Sequence, residues 1–326
     1  MARVALTLGD QAGVGPEVIA RLLSEPDNLS QVDVVLLADQ SELEKAEAQA
    51  GVSVPWSLEP RPGTVQLLPD GGATDIPEKE VSLAAGARVI HQLSRALELA
   101  NAHEINAIMF GPLNKTSLKM AGMNHEDELR WFATELNFDG FTSELNILDE
   151  LTTARVTSHI PISEVAANIT PERVIQAIEL LHETLVTAGK ASPRIGVCAL
   201  NPHAGENGNF GREEIDIIAP AVARAAELGF DVDGPYPSDT IFATKRHLFD
   251  GIVTMYHDQG QIAMKLLGFD SGVTVQGGLP ISIATPAHGT AFDIVGQKKA
   301  HMGATQHAYE HTVRAALRNA QEVSGA

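Results

Sequence analysis

The sequence lacks what disulfide-bonded and membrane-spanning proteins require. Of its 326 residues only Cys198 is a cysteine, so an intrachain disulfide is excluded, and its apolar surroundings predict a small core residue. No apolar run approaches the roughly 20 residues of a membrane helix, and the start MARVALTLGDQAG is apolar for too short a stretch to be a signal peptide. We therefore expect a cytoplasmic protein without membrane contact.

Basic residues are also scarce. Lys and Arg total 23 against 42 Asp and Glu, which gives a formal net charge of -19. This balance argues against a nucleic-acid partner, because non-specific nucleic-acid affinity comes mainly from cationic contacts to phosphates. A protein this acidic that binds an anionic small molecule must gather positive charge locally, from Lys, Arg or a metal ion.

Short apolar runs alternate with amphipathic segments along the chain. RIGVCAL (194–200) is typical of a buried strand, and 170–189 has the apolar spacing of a helix, with Thr170 as its N-cap and Pro171 in its first turn. The Pro- and Gly-rich stretch 52–75 predicts irregular surface. Repeated βα units of this kind predict an α/β protein with mainly parallel sheets.

Three strand-like runs are each followed by a histidine: VTSHIPI (His159), LNPHAGE (His203) and MYHDQG (His257). If these strands are parallel, the three imidazoles lie at one rim of a sheet, where ligands bind in α/β folds. Three imidazoles suit a borderline metal such as zinc. The alternative is three unrelated loop histidines, since the chain has 12 histidines.

Two glycine-rich segments are candidates for binding phosphate or nucleotide. LGDQAGVGPEVI lies between a strand and a helix, but it lacks the spacing of a P-loop, so a turn that needs glycine explains it equally well. HGTAFDIVGQKKA (288–300) is a polar loop that could close over a nucleotide.

Taken together, GDQAGVGPE, GPLNK, VTSHIPI, LNPHAGENGNFGREE, GPYPSDT, MYHDQGQIAMK and HGTAFDIVGQ resemble, in this order, the 4-hydroxythreonine-4-phosphate dehydrogenase family over essentially the whole chain. The resemblance implies a two-domain isocitrate/isopropylmalate dehydrogenase-like α/β fold, with mainly parallel sheets and a cleft between the domains. The expected domains are 1–130 plus 266–326 on the nucleotide side, and 131–265 with the metal ligands and the dimer interface. The implied reaction is NAD- and metal-dependent oxidation of a secondary hydroxyl, followed by decarboxylation of the β-keto acid.

The resemblance also implies roles for individual residues. His159 and His203 are implied metal ligands from one subunit, and His257 is supplied by the partner of a homodimer whose active sites are shared. Zinc is the first choice of metal, with magnesium, manganese or cobalt as alternatives. The implied catalytic residues are Lys265, Lys115 and Asp258, with Asp239 as a further orienting group.

The loop after GGLP resembles the adenosine-binding loop of isopropylmalate dehydrogenases. Its implied NAD contacts are His288, Gly289, Thr290, Asp293 and Gly296. Lys298 and Lys299 follow and could tolerate the additional phosphate of NADP.

Departures from the family pattern concern the substrate. Glu128 and Leu129 occupy positions of a phosphate-binding His-Thr pair, Thr274 replaces an Asn, and Ile283 replaces an Arg. The predicted substrate-binding set is Lys265, Thr274, Ile283, Glu128, Leu129, His125 and Arg130. Loss of charged donors predicts a small hydroxy acid without phosphate, such as a terephthalate-type cis-dihydrodiol dicarboxylate. The alternatives are a true 4-phosphohydroxy-L-threonine dehydrogenase of pyridoxal phosphate biosynthesis, a phosphate acyltransferase of related fold, and a non-catalytic metal-binding relative.

Overall fold

The computed structural model describes residues 1–148, 151–268 and 271–325. Within these ranges strands and helices alternate along the chain. The strands are β1 (Arg3–Thr7), β2 (Asp33–Leu36), β3 (Trp56–Ser57), β4 (Val65–Leu67), β5 (Ala107–Phe110), β6 (Ser143–Leu148), β7 (Leu151–Arg155), β8 (Arg194–Cys198), β9 (Asp231–Tyr236), β10 (Gly251–Thr254), β11 (Val273–Gly277) and β12 (Ser282–Pro286). The helices are α1 (Gly15–Leu23), α2 (Gln40–Ala50), α3 (Leu83–Asn101), α4 (Lys115–Met120), α5 (Glu128–Glu135), α6 (Ile162–Asn168), α7 (Pro171–Thr187), α8 (Ala219–Glu227), α9 (Ser238–Thr240), α10 (His257–Gly268) and α11 (Gly303–Gly325).

The chain forms two compact units. The first comprises 1–138, 270–274 and 279–326, and the second comprises 139–269 and 275–278. Both are α/β, as the sequence predicts. The division of the chain at 130/131 and 265/266 stays a prediction.

In the first unit the strand order is β3-β4-β2-β1-β5-β12, and these pairings are all parallel. The short strands β3 and β4 lie in the segment predicted to be irregular, so that expectation is wrong there. Apolar side chains of β5, β12, α3 and α5 form the core, including Ile108, Phe132 and Ile283. Parallel pairing places the carboxyl ends of β1, β5 and β12 side by side.

In the second unit the order is β6-β7-β10-β8-β9, with β6 antiparallel to β7 and the other pairings parallel. Helix α7 begins as predicted: Pro171 is in its first turn, and the Thr170 hydroxyl accepts a hydrogen bond from the Arg173 amide at 3.3 Å. Cys198 is fully buried in the core with Ile252, and burial raises the pKa of its thiol, as expected of an inert core cysteine.

Among the helices of the described ranges, none is long and apolar enough to cross a membrane.

Candidate active site

The three strand-end histidines share one edge of the second unit. β10 lies between β7 and β8 and is parallel to both, so the carboxyl ends of the three strands point the same way. His159 follows β7, His203 follows β8, and His257 follows β10. In the sheet β10 lies between β7 and β8, although it follows both of them in the sequence. This placement brings the carboxyl end of β10 next to theirs.

The rings of His159 and His257 lie close together within one chain, with centroids 5.4 Å apart. His257 is the first residue of α10, and its Nδ1 lies 2.7 Å from an oxygen of Asp258. A carboxylate at Nδ1 fixes the tautomer and leaves Nε2 as the ligand atom, the arrangement that is usual around metal-binding histidines. The supply of His257 by a partner subunit stays a prediction.

His203 is exposed, and its ring contacts Phe210, with centroids 6.3 Å apart. It begins a turn of five consecutive residues, 203–207, whose φ angles are all positive, between +41° and +75°. A left-handed conformation costs non-glycine residues roughly 1–2 kcal/mol each, and four of these five are not glycine. Backbone strain of this kind concentrates at functional sites.

Side chains that sequence reasoning missed join the three strand ends. The Thr157 hydroxyl donates to the carbonyl oxygen of Met255 at 2.7 Å and so connects the ends of β7 and β10. Gln259 accepts from the Met255 amide at 2.7 Å and donates to the Ala199 carbonyl at 2.8 Å, which connects β10 to β8. The signal that could have identified Gln259 is its place inside MYHDQG, two residues after the histidine.

The remaining predicted residues of the second unit lie on its surface. Lys265 is exposed on α10, about two helical turns after His257. Asp258 is held against His257, as described, and has 71% of its side chain exposed. Asp239 is exposed in α9, where it contacts the Thr240 hydroxyl at 3.4 Å.

In the first unit, three sequence motifs meet at the carboxyl ends of β1, β5 and β12. The Asp10 amide donates to the Pro112 carbonyl at 2.9 Å, which joins GDQAG to GPLNK. The Val14 amide donates to the Thr290 carbonyl at 2.9 Å, which joins GDQAG to HGTAF. The glycine-rich turn after β1 therefore brings the backbones of these three motifs together.

Within this junction Asp10 is a buried carboxyl that sequence reasoning did not single out. One of its oxygens accepts from the Ala12 amide at 2.9 Å. Burial raises the pKa of Asp10, and the Ala12 hydrogen bond opposes that shift.

The predicted nucleotide-binding residues lie together on the loop after β12. Thr290 is buried, whereas Gly289 and Gly296 are exposed with open space where a Cβ would be. Asp293 is also exposed. Nε2 of His288 is buried, and no group in the described ranges hydrogen-bonds to it. Exposed glycine backbone beside an unsatisfied imidazole nitrogen leaves room and a polar atom for a ligand.

A small pocket in the first unit contains several residues predicted to bind substrate. Its polar lining consists of Lys115, Lys119, His125, Glu126, Asp127 and Glu128. The Glu128 carboxylate pairs with the Lys115 ammonium at 3.3 Å, so its charge is compensated. Nδ1 of His125 is buried and has no hydrogen-bond partner within the described residues.

Two residues predicted to contact substrate lie in the interior. Leu129 is 3% exposed, and Ile283 is fully buried in β12 opposite Ile108 of β5. Both side chains pack into the core, and spacing in the sequence does not reveal which face of a strand or helix is buried. Their contact with substrate stays a prediction. Thr274 is partly exposed in β11, and Arg130 is exposed in α5.

The fold is similar to that of a solved structure of low sequence identity. A β-decarboxylating dehydrogenase of Thermococcus kodakarensis superposes with a TM-score of 0.50 at 16% identity, covering 100% of this chain and 98% of the other. This likeness confirms the predicted dehydrogenase fold.

The family follows from closer similarities. Residues 25–312 match the family model described as pyridoxal phosphate biosynthetic protein PdxA, and the chain belongs to the PdxA family. A Pseudomonas aeruginosa protein with the provisional name 4-hydroxythreonine-4-phosphate dehydrogenase 2 is 52% identical over 324 residues, 96% of each chain. A D-threonate 4-phosphate dehydrogenase of Cupriavidus necator is 37% identical over 308 residues, covering 90% of this chain and 91% of the relative. The crystal structure of a Burkholderia phymatum 4-hydroxythreonine-4-phosphate dehydrogenase has a TM-score of 0.79 at 36% identity and covers 97% of this chain and 98% of the other.

The chain is thus a dehydrogenase, an oxidoreductase that acts on a CH–OH group, and the acyltransferase and non-catalytic alternatives are rejected. A terephthalate 1,2-cis-dihydrodiol dehydrogenase of Burkholderia xenovorans has a TM-score of 0.71 at 27% identity, covering 96% of this chain and 98% of the other. Relatives named for phosphorylated substrates are more similar to this chain in sequence than the terephthalate dihydrodiol dehydrogenase is. The comparisons therefore support the phosphorylated alternative better than the terephthalate-type substrate.

Proposed function

We propose that this protein oxidises the secondary hydroxyl of a phosphorylated hydroxy acid with NAD and a divalent metal, and that the β-keto acid formed loses carbon dioxide. The observation that carries the proposal is the set of three histidines at the carboxyl ends of three adjacent parallel strands. Family membership supplies the reaction class.

His159, His203 and His257 would hold the metal. Their imidazole nitrogens suit zinc, and Asp258 already fixes the tautomer of His257. A bound divalent metal supplies positive charge that eases deprotonation of a hydroxyl and stabilises negative charge on oxygen during decarboxylation. The local positive charge that an anionic substrate needs in so acidic a protein thus comes partly from this group.

The chain's own residues would bind and move protons. Lys265 follows His257 on the same helix, and we assign it to exchange a proton with substrate at its ammonium nitrogen. The loop bearing His288, Gly289, Thr290, Asp293 and Gly296 would bind NAD, with the buried His288 Nε2 as a hydrogen-bonding atom.

The phosphate group would bind in the pocket of the first unit. Lys119 supplies an exposed ammonium, and His125 supplies a ring nitrogen without a protein partner in the described ranges. The Lys115 ammonium forms an ion pair with the Glu128 carboxylate, so it contributes less positive charge to the pocket. The two substrate names among the relatives, 4-hydroxythreonine-4-phosphate and D-threonate 4-phosphate, both place a phosphate at carbon 4.

We further propose that two copies of the chain form a dimer through the second unit. Helix α10, which begins at His257, exposes Ile262 and Leu266, by 60% and 83%. Apolar exposure of this kind on one helix marks a surface for protein contact. Because α10 begins at His257, a contact along this helix would bring the partner subunit close to a predicted ligand, as a shared active site requires.

Steady-state kinetics test the substrate class. NAD reduction and carbon dioxide release are measured with D-threonate 4-phosphate, 4-phosphohydroxy-L-threonine and unphosphorylated D-threonate, with zinc added or chelated. We expect kcat/KM for a phosphorylated substrate to exceed that for D-threonate by about 100-fold, the effect of two charged hydrogen bonds. Lys119→Gln should raise KM for the phosphorylated substrate alone. Equal or better turnover of D-threonate would overturn the phosphate assignment.

A further inference from the structure

The 203–207 turn needs an external support. Its left-handed backbone includes His203, Ala204, Glu206 and Asn207, none of which favours positive φ as glycine does. A strained segment persists only when surrounding groups over-determine its conformation. Because His203 is the first residue of the turn, whatever holds the turn also sets the direction of its imidazole.

Glu214 is the group best placed to do this. It is 3% exposed and begins a π-helical turn, Glu214–Ile218. One carboxylate oxygen accepts hydrogen bonds from the amides of Leu200 and Asn201, at 2.9 and 2.7 Å. The other oxygen accepts from the Asn201 side-chain amide at 3.0 Å. A buried carboxylate with three N–H donors fixes the chain just before His203.

The same carboxylate also lies under the turn itself. A Cβ at Gly205 would stand 2.7 Å from the second oxygen of Glu214, closer than real Cβ contacts occur. Gly205 is therefore required by its φ of +75° and by the nearness of Glu214. The Glu214 carboxylate thus bonds to the chain just before His203 and lies close to it just after His203.

We propose that Glu214 is a positioning residue for His203: its carboxylate holds the left-handed 203–207 turn and thereby orients the imidazole toward the metal. This inference rests on the proposed metal role of His203. Glu214 makes no contact with metal or substrate in this assignment. Its effect is exerted on the backbone at Leu200 and Asn201 and on the packing of Gly205.

The test compares the full-length protein with Glu214→Ala, Glu214→Gln, His203→Ala and a control, Asp216→Ala. Asp216 belongs to the same π-helical turn, has about half of its side chain exposed and forms an ion pair with the exposed Arg212. Zinc affinity is measured by competition with a chromophoric chelator, and hydrogen exchange is followed at the amides of 200–207. Thermal unfolding of the metal-free proteins shows whether each variant folds.

We expect Glu214→Ala to weaken zinc binding by about 10- to 100-fold, the usual effect of removing a group that orients a ligand. Exchange at Leu200 and Asn201 should accelerate in the same variant. Glu214→Gln should recover most of the affinity, because its amide oxygen can still accept both backbone hydrogen bonds. Asp216→Ala should match the wild type in both measurements.

The outcomes separate this inference from the proposed function. Unchanged zinc affinity in His203→Ala would overturn the metal role of His203, and the orienting role of Glu214 with it. Weakened binding in His203→Ala but not in Glu214→Ala would overturn the Glu214 assignment alone. If Glu214→Ala does not fold, Gly205→Ala replaces it, since a Cβ at position 205 would push against the Glu214 carboxylate and disturb the turn without removing that side chain. Wild-type affinity and exchange in Gly205→Ala would equally overturn the assignment.

Discussion

Gly13 lies directly against Thr290: a Cβ at position 13 would stand 2.6 Å from the Thr290 Cβ and 2.7 Å from its carbonyl oxygen. The neighbouring Val14 amide donates to that carbonyl. The turn after β1 therefore supports the loop that is proposed to bind NAD, and only glycine allows the approach.

Gly13→Ala should displace the Thr290 loop and raise KM for NAD by tenfold or more, with a smaller change in kcat. Binding of NAD, followed by quenching of protein fluorescence, provides a second measurement. Gly63→Ala is the control, because position 63 has open space around its Cβ, and its φ of +69° strains the backbone there without touching the Thr290 loop. The same NAD affinity in Gly13→Ala and the wild type would show that the loop does not bind the nucleotide.

Alanine at any one of the three histidines, His159, His203 or His257, should abolish turnover. Each variant should keep the thermal unfolding transition of the metal-free protein nearly unchanged. The reason is that all three side chains lie at strand ends, outside the buried core. The measurement is activity with saturating zinc, together with circular dichroism. A fully active His203→Ala variant would contradict the metal assignment.

Gln259→Glu should lower kcat at least tenfold in a folded protein. The carboxylate can accept from Met255, but its other oxygen would face the Ala199 carbonyl, which now accepts a hydrogen bond from the Gln259 amide. Repulsion there would separate the ends of β8 and β10. Gln40→Glu, an exposed change of equal charge, is the control and should retain activity.

His311 should make the protein less stable in mild acid. It is 3% exposed in α11, and burial lowers its pKa to about 4, with a smaller contribution from Arg314. The unfolded chain takes up a proton below the ordinary pKa of about 6.5, whereas the folded chain does so only near pH 4. The contribution of this residue to stability is therefore complete above pH 6.5 and is lost as the pH falls from 6.5 to 4.

Urea unfolding at pH 7 and pH 5 measures this effect. The His311 contribution to the loss of unfolding free energy between these values should be about 2 kcal/mol, from 1.36 kcal/mol per pKa unit. His311→Gln should show a correspondingly smaller loss, whereas His247→Gln, an exposed change, should behave as the wild type. An unaltered pH dependence in His311→Gln would assign acid sensitivity to other groups.

Mixing inactive His203→Ala with inactive His257→Ala should regenerate activity if the partner subunit supplies His257. In the mixed dimer one of the two sites would then carry all three ligands. Subunit exchange is verified by native mass spectrometry of differently tagged chains. No recovery after demonstrated exchange would place all three ligands in one chain, as the 5.4 Å distance between the His159 and His257 rings allows.

The sequence by itself determined the α/β class, the start of α7 at Thr170 and Pro171, and the position of each histidine just after a strand. These features depend on local spacing and on capping chemistry, which a few neighbouring residues settle. The family could be recognised for the same reason, since its motifs are short and contiguous.

Only the tertiary structure decided what depends on strand order and on which face of an element is covered. The insertion of β10 between β7 and β8 brings His257 to His159, across about a hundred residues of chain. The pairing of β12 with β5 buries Ile283, a position that spacing alone assigned to the substrate. The hydrogen bonds from the amides of Leu200 and Asn201 to Glu214 likewise join residues that are not neighbours in the sequence. Such contacts are non-local, so no short stretch of sequence contains them.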